Sequence, residues 1–313
     1  MPLAGAFRLF RFAGIDVFLH WSWFLVAIFE ILSRRRSYHS PAWNVLETLA
    51  LFAIILTHEF GHALACRQVG GRADRIMLWP LGGVAYVTPP DRPGATLWSI
   101  AAGPLVNVAL CPLLLAAYAF AGMNGWAFAH PDEYLFIRAV LGINLGLLVF
   151  NILPLYPLDG GQILRSLLWF LMGRARSLLV TSIIGFVGII GLIALALRFH
   201  SNWSVMIALY LLMSCWRGLQ HARQLLRVGE TPRRAGLACP GCHTAPPVGP
   251  FWGCARCHRP FDTFATNAVC PACSAPFPVT MCLNCKTSYP LEQWSAGATG
   301  TPALIIGQVA PQR

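Results

Sequence analysis

Long apolar stretches alternate with short clusters of arginine, glycine and proline over the first two thirds of the chain. Six of these stretches are candidates for membrane-spanning helices. They cover residues 17–32, 46–66, 96–120, 134–153, 178–199 and 205–216. A helix needs about 20 residues to cross the hydrocarbon core of a bilayer, so the first and last stretches are short. Tryptophans at their ends are typical of anchors at the membrane interface. The pattern predicts an all-α polytopic membrane protein with about six transmembrane helices.

A shorter apolar segment, residues 75–87, lies between the second and third stretches. It is rich in β-prone residues, and Pro80 and the pair Gly82 and Gly83 interrupt it. It is too short to cross a bilayer, so we expect a small β-hairpin associated with the membrane surface. An ordinary amphipathic loop fits the same pattern, and the sequence alone does not separate the two.

Composition and charge agree with a membrane protein. Of the 313 residues, 56% are hydrophobic and 11% are charged, whereas a soluble domain carries about 25% charged residues. The net charge of +11 comes almost entirely from arginines that flank the apolar stretches. With six spans, fourteen of these arginines fall on the side of the termini and five on the other. By the positive-inside rule we expect both termini in the cytoplasm, although this orientation leaves the Arg34–Arg36 cluster on the opposite side.

The second stretch ends in the motif HEFGH, residues 58–62. His58 and His62 are four residues apart, so on a helix they share a face and can reach one metal ion. Glu59 can then contact a metal-bound water without being a ligand. The alternative is that neighbouring polar groups satisfy the histidines. Ionisable groups inside a spanning helix are costly, which favours the metal site.

Two histidines and a water leave a zinc ion one ligand short, and Asp159 is the candidate for the missing one. It lies in NILPLYPLDGG, residues 151–161, where two prolines break the fourth stretch and two glycines follow the aspartate. Non-helical backbone at membrane depth is tolerated only where protein or a wet cavity surrounds it. The alternative is a cytoplasmic turn in which Asp159 caps the next helix.

Four motifs together resemble the site-2 protease family of intramembrane zinc metalloproteases. They are HEFGH, LGGVA at residues 81–85, AGPLVN at residues 102–107, and NILPLYPLDGG, and their order and spacing match the family as well. The resemblance covers the membrane part of the chain, from about residue 7 to residue 216.

The resemblance implies a catalytic zinc ion held by His58, His62 and Asp159, with Glu59 as the general base. It also implies that residues near the site hold an unwound strand of the substrate. These substrate-binding candidates are Gly82, Gly83, Asn107 and Asn151. For the two asparagines, hydrogen bonding between helices is an equally good interpretation.

Eight of the eleven cysteines form four C-x-x-C pairs near the C-terminus. They are Cys239 and Cys242, Cys254 and Cys257, Cys270 and Cys273, and Cys282 and Cys285. Two such pairs make one tetrahedral zinc site with four sulfur ligands. Because neighbouring pairs are close in sequence, we expect two small zinc ribbons, each with a structural zinc ion. The first and second pairs would form one ribbon, and the third and fourth pairs the other.

The first two pairs are followed by histidine, which is also the pattern for covalent haem attachment. Haem attachment requires the exported side of a membrane, and the charge distribution places this segment in the cytoplasm. The basic residues around the pairs are few, so a protein partner is favoured over nucleic acid.

The sequence thus predicts four parts: an intramembrane metalloprotease domain over residues 1–217, a basic amphipathic linker helix over 218–236, a double zinc ribbon over 237–287 and a loosely ordered tail over 288–313. The linker helix could bind anionic membrane lipid or serve only as a connection. The leading hypothesis for function is cleavage of transmembrane-helix substrates, with one catalytic and two structural zinc ions. The alternative is a non-proteolytic membrane scaffold that displays the ribbons to a protein partner.

Overall fold

The computed structural model describes residues 5–33, 37–79, 82–198, 202–285 and 287–294. The chain divides into two compact units, residues 2–223 and residues 224–313. Several sequence features lie outside the described residues: the Arg34–Arg36 cluster, Pro80, Leu81 and the tail beyond residue 294.

The chain is mainly helical. Its helices are α1 (Trp23–Ser33), α2 (Pro41–Gln68), α3 (Pro93–Met123), the short α4 (Trp126–Ala129), α5 (Pro131–Ile152), α6 (Asp159–Arg198) and α7 (Asn202–Glu230). Helix α6 is kinked at Gly173, where φ of 80° and ψ of 168° are not helical. In the part of the chain that the structure describes, four helices are long and apolar enough to cross a membrane: α2, α3, α5 and residues Asp159–Ala194 of α6. They contain or coincide with the second to fifth predicted spans. The protein is therefore an integral membrane protein.

The first predicted span differs from the structure. Residues 17–20 belong to a strand, β2 (Ile15–His20), and the helix α1 that follows has only 11 residues. At 1.5 Å per residue α1 is about 16 Å long, roughly half the thickness of the hydrocarbon core. Ile15, Val17 and Leu19 are buried on one face of β2, and the residues between them are less buried. This period of two indicates a strand, but the high apolarity of the whole segment obscured it.

The last predicted span is also different in extent. Helix α7 continues without a break from Asn202 to Glu230, so it includes residues 205–216 and most of the expected linker helix. The expected boundary at residue 217 is therefore a change in polarity along one helix. The four-part division of the chain stays a prediction.

A four-stranded sheet lies against α2. Its strands are β1 (Ala6–Phe12), β2 (Ile15–His20), β3 (Arg72–Trp79) and β4 (Gly82–Thr88), in this spatial order. Strands β1 and β2 are antiparallel, β2 and β3 parallel, and β3 and β4 antiparallel. The predicted hairpin thus corresponds to β3 and β4, but it is part of a larger sheet whose edge strand is β4. Ile76 and Leu78 of β3 pack with Ala63 and Cys66 of α2 in one buried cluster.

Glycine residues allow close contacts between α2 and α3, and between the start of α6 and the end of α5. A Cβ atom on Gly61 of α2 would lie 2.8 Å from the carbonyl oxygen of Ala102 in α3. On Gly160 it would lie 2.1 Å from the oxygen of Ile152. Small residues at such contacts are typical of helix packing in membranes.

The C-terminal unit contains two short hairpins. Strand β5 (Trp252–Gly253) pairs with β6 (Pro260–Phe261), and β7 (Thr280–Met281) pairs with β8 (Ser288–Tyr289). The Trp252 indole donates a hydrogen bond of 3.0 Å to the oxygen of Met281, which ties the two hairpins together.

Candidate metal centres

His58 and His62 lie one helical turn apart on α2, and Asp159 is the first residue of α6. The three side chains are buried and converge on one point. The Nε2 atoms of the histidines are 3.1 Å apart, and Asp159 Oδ2 lies 3.0 Å from His58 Nε2 and 3.3 Å from His62 Nε2. Tetrahedral zinc with bonds of about 2.0–2.1 Å places its nitrogen and oxygen ligands about 3.3 Å apart. The three ligand atoms therefore fit a zinc ion.

The other ring nitrogen of each histidine has an acceptor on α3. His58 Nδ1 donates to Asn107 Oδ1 at 2.6 Å, and His62 Nδ1 donates to the backbone oxygen of Ser99 at 2.9 Å. These contacts leave the lone pair of each Nε2 free for a metal and hold the rings in place. Sequence reasoning missed Ser99 because it acts through its backbone carbonyl, which every residue has.

Glu59 faces the edge strand β4. Its Oε2 accepts a hydrogen bond of 2.7 Å from the backbone N–H of Ala85. A Cβ atom on Gly83 would lie 2.3 Å from Glu59 Cγ, so only glycine allows the strand to pass this close to the carboxylate. The carboxylate is thus fixed beside the three candidate ligands without joining them.

A cavity of about 380 Å³ opens onto this cluster. Among the predicted substrate-binding residues, Gly82, Gly83 and Asn151 line it. Sequence reasoning missed two further polar residues of the lining, Gln162 and Tyr210.

Asn107 has a different environment from the other three substrate-binding candidates. It is fully buried, it is not among the residues that line the cavity, and its amide bonds to His58 and to Asn144 of α5. Its position favours the interpretation as a hydrogen-bonding residue between helices.

The turn before Asp159 is held from behind by α7. Cys215 Sγ donates to the backbone oxygen of Tyr156 at 2.8 Å, and a Cβ atom on Gly218 would lie 2.8 Å from Tyr156 Cε1. Cys215 lies outside the four C-x-x-C pairs, and only the three-dimensional structure reveals its contact with the turn. The Asp159 carboxylate contacts both histidines, a role that the alternative of a simple helix cap does not include.

The eight C-terminal cysteines form two clusters, but the first pair is not combined with the second, nor the third with the fourth. One cluster contains the first and last pairs, and the other contains the two middle pairs: Cys239, Cys242, Cys282 and Cys285, and Cys254, Cys257, Cys270 and Cys273. Sulfur atoms of facing cysteines are 3.5–3.7 Å apart. Zinc–sulfur bonds of about 2.3 Å place tetrahedral ligands about 3.75 Å apart, so both clusters fit zinc.

The expectation that the first pair shares a site with the second, and the third with the fourth, was therefore wrong. The chain reverses after β6, where Asp262 Oδ1 accepts hydrogen bonds from the N–H groups of Phe264 and Ala265. This turn brings the third pair back onto the second and leaves the first pair for the last. Sequence spacing could not separate the two arrangements because all the intervals between pairs are short.

Cys254 is prepared to bind metal. Burial, the largest single effect, raises the pKa of its thiol. Hydrogen bonds from the backbone N–H groups of Cys257 and Arg256, each 3.4 Å from Sγ, and from neighbouring thiols together lower the pKa to about 6. The thiolate is the form that binds metal. His243 and His258, which follow the first two pairs, are in the left-handed region with φ of 55° and 59°. The sulfur atoms of these pairs point at other pairs, which does not fit covalent haem attachment.

Replacing Gly103 with alanine should remove metal from the membrane site. The new Cβ atom would lie 2.3 Å from His62 Nε2 and 2.8 Å from His58 Nε2. Metal analysis of the purified protein should then show one zinc ion per chain fewer than in the wild type. Gly142→Ala is the matched control, because nothing lies within 4 Å of the corresponding Cβ position on α5. Equal zinc in both variants would contradict the proposed ligand set.

Replacing Cys254 with serine tests whether the second and third cysteine pairs share one site and the first and fourth pairs the other. We expect Cys257, Cys270 and Cys273 to become reactive towards iodoacetamide, and the outer four cysteines to stay protected. Mass spectrometry of the alkylated peptides measures this directly. Reaction at Cys239 and Cys242 instead would indicate that the first and second pairs share a site. Cys111→Ser, which lies outside both clusters, should leave all eight protected.

Comparison with known proteins agrees with the geometry. Residues 47–127 and 123–195 match the model of peptidase family M50. A zinc metalloprotease of Methanocaldococcus jannaschii is 33% identical over 178 residues, which make up 57% of this chain and 50% of that protein. Stage IV sporulation protein FB of Bacillus subtilis is 34% identical over 118 residues, 37% of this chain and 38% of that protein. The chain spans about half the length of the first curated relatives it matches.

The solved structure of a site-2 protease from Methanocaldococcus jannaschii has the same fold. It covers 68% of this chain and 95% of its own, with a TM-score of 0.50 and 24% sequence identity. The four family motifs and the converging side chains all lie within residues 47–195, the region that the family model matches. Residues 47–195, nearly half of the chain, therefore match peptidase family M50, and the fold resembles that of a solved site-2 protease.

Proposed function

We propose that this protein is an intramembrane zinc metalloprotease that cleaves peptide bonds of transmembrane-helix substrates. The observation that carries the proposal is the convergence of His58, His62 and Asp159 within 3.3 Å of one another, with Glu59 beside them, at a cavity between apolar helices. Ionisable groups at such positions mark functional sites. A scaffold that kept metal only for structure would need neither the carboxylate of Glu59 nor an open cavity.

The proposed division of labour follows from the contacts. When bound, zinc supplies an activated water and polarises the carbonyl group of the substrate. Glu59 accepts the proton of that water and passes it to the leaving amine. His58, His62 and Asp159 hold the metal, and the α3 acceptors keep both imidazoles in the metal-binding tautomer.

The edge strand β4 is the proposed docking element for substrate. Ala85 directs its N–H away from β3 to Glu59. Residues two apart in a strand point their amide groups to the same edge, so those of Gly83 and Val87 face the cavity as well. A helix shields its own carbonyl groups, so the substrate must unwind, and pairing with this edge as an added strand offsets that cost.

The remaining lining suits a transmembrane substrate. Apolar side chains line most of the cavity, among them Ile55, Ile100, Phe150 and Leu158. Asn151 is a polar group within this lining and is our candidate for contact with the substrate backbone. The surrounding membrane lipid is the medium from which such a substrate would enter.

We further propose a total of three zinc ions: one catalytic ion and one structural ion in each cysteine cluster. The sulfur–sulfur distances of both clusters support the structural pair. For the ribbons we propose a protein partner over nucleic acid, because few basic residues surround them.

Glu59→Gln should reduce proteolysis by about 10²–10⁴-fold, the usual contribution of general acid–base catalysis, because the amide cannot accept the proton. Zinc content should not change, since Glu59 is not a candidate ligand. Comparison of membrane-protein fragments in cells with wild-type and variant protein identifies substrates, and a reporter built from one of them gives the rate. Glu30→Gln on α1 is the control and should cleave normally. Unchanged cleavage by Glu59→Gln would refute this mechanism.

Both termini are proposed to lie in the cytoplasm, because most arginines fall on their side. A fluorescent protein fused to either end should therefore fluoresce, and a phosphatase that works only after export should be inactive there. Phosphatase activity at the C-terminal fusion would reverse the orientation.

A further inference from the structure

Two asparagines form a hydrogen-bonded relay behind the membrane site. Asn107 on α3 and Asn144 on α5 are both fully buried, and neither is among the residues that line the cavity. Asn107 Nδ2 donates to Asn144 Oδ1 at 2.8 Å. Asn144 Nδ2 in turn donates to the backbone oxygen of Asn107 at 3.0 Å and to Cys111 Sγ at 3.3 Å. The relay ends at His58, whose Nδ1 is 2.6 Å from Asn107 Oδ1.

The direction of every bond in this relay follows from one fixed group. A backbone carbonyl can only accept, so the side of the Asn144 amide that faces the Asn107 carbonyl must be its NH₂ group. The Asn144 oxygen then faces Asn107 and requires the NH₂ group of Asn107. That leaves the Asn107 oxygen for His58, and an oxygen there requires a proton on His58 Nδ1. A neutral imidazole carries a single proton, so with that proton on Nδ1 the Nε2 atom of His58 has the free lone pair that binds zinc.

Without Asn144, nothing else in the described contacts of the Asn107 side chain would fix the orientation of its amide. The two ends of an asparagine amide have almost the same shape, and only the hydrogen-bond network distinguishes them. If the NH₂ group faced His58, Nδ1 would have to accept and Nε2 would carry the proton. A proton on Nε2 competes directly with the metal.

We propose that Asn144 is a positioning residue that sets the tautomer of His58 and so raises the zinc affinity of the membrane site. It touches neither the ligands nor the cavity and acts only through Asn107. The inference rests on the proposed function in that it takes His58 as a zinc ligand. It does not require that the protein cleave any particular substrate.

Asn144→Leu is the primary test, because leucine is similar in volume and removes both hydrogen-bonding groups. Zinc affinity, measured by competition with a chelator on the detergent-purified full chain, should fall about 10–100-fold at the membrane site, as for other groups that support metal ligands. In metal-free protein with ¹⁵N-labelled histidine, NMR should show the His58 proton on Nδ1 in the wild type. In the variant the proton should be distributed over both nitrogens.

The control separates this role from general packing between the same two helices. Tyr134 on α5 donates to the hydroxyl of Tyr118 on α3 at 2.9 Å, away from the relay. Tyr134→Phe removes that bridge and should change neither zinc affinity nor the His58 tautomer. An equal loss of zinc affinity in Tyr134→Phe and Asn144→Leu would overturn the proposal in favour of simple packing.

A double variant supplies a rescue that packing cannot explain. Asn107→Asp presents only acceptor oxygens to His58, so the proton should return to Nδ1 without help from Asn144. Combined with Asn144→Leu, it should restore the wild-type tautomer and recover most of the zinc affinity lost in the single variant. A wild-type tautomer in Asn144→Leu alone, or no recovery of the tautomer in the double variant, would overturn the proposal. Both readouts are independent of proteolysis, so a normal relay in a protein without protease activity would count against the proposed function alone.

Discussion

The convergence of three ionisable side chains between apolar helices is the constraint on which the rest of the membrane unit depends. Such groups are costly in a bilayer unless each finds a partner. The acceptors on α3 partner the histidines, and Asp159 meets both of them. Space for this arrangement comes from glycine: a Cβ atom on Gly103 or Gly160 would collide with the site or with the turn that carries it. The close helix packing therefore follows from the needs of the site.

Local geometry explains which parts of the site could be predicted. His58, Glu59 and His62 lie within one turn of helix, and their spacing alone places two of them on one face. Asp159 comes from another helix, and only the broken segment and the resemblance pointed to it. The sequence marks Asn144 only as a polar residue within an apolar stretch. Its role depends on a contact across 37 residues with Asn107, and no local pattern distinguishes it from an asparagine that merely links two helices.

The errors at the two ends of the chain have a common cause. The segment 17–32 was assigned by its total apolarity, although the alternation of Ile15, Val17 and Leu19 already favoured a strand. The third cysteine pair was grouped with the fourth by nearness in sequence, although the turn at Asp262 brings it onto the second. In both places a property of a whole segment, its apolarity or its nearness in sequence, was used where the positions of individual side chains decide the structure. The mainly helical membrane fold could be predicted from such segment properties, but the pairing of strands and of metal ligands could not.

Strand β4 combines two tasks that the proposed chemistry needs in one place. Its edge offers amide groups to an added strand, and one of those groups, the N–H of Ala85, is already bonded to Glu59. An added substrate strand can therefore pair with β4 on either side of Ala85 but meets the carboxylate at that position. Because Gly83 has no side chain, β4 itself can lie within contact distance of the proposed base. In the proposed mechanism, docking by backbone pairing would bring the unwound peptide bond to the level of the base and the metal ligands without requiring a particular side chain.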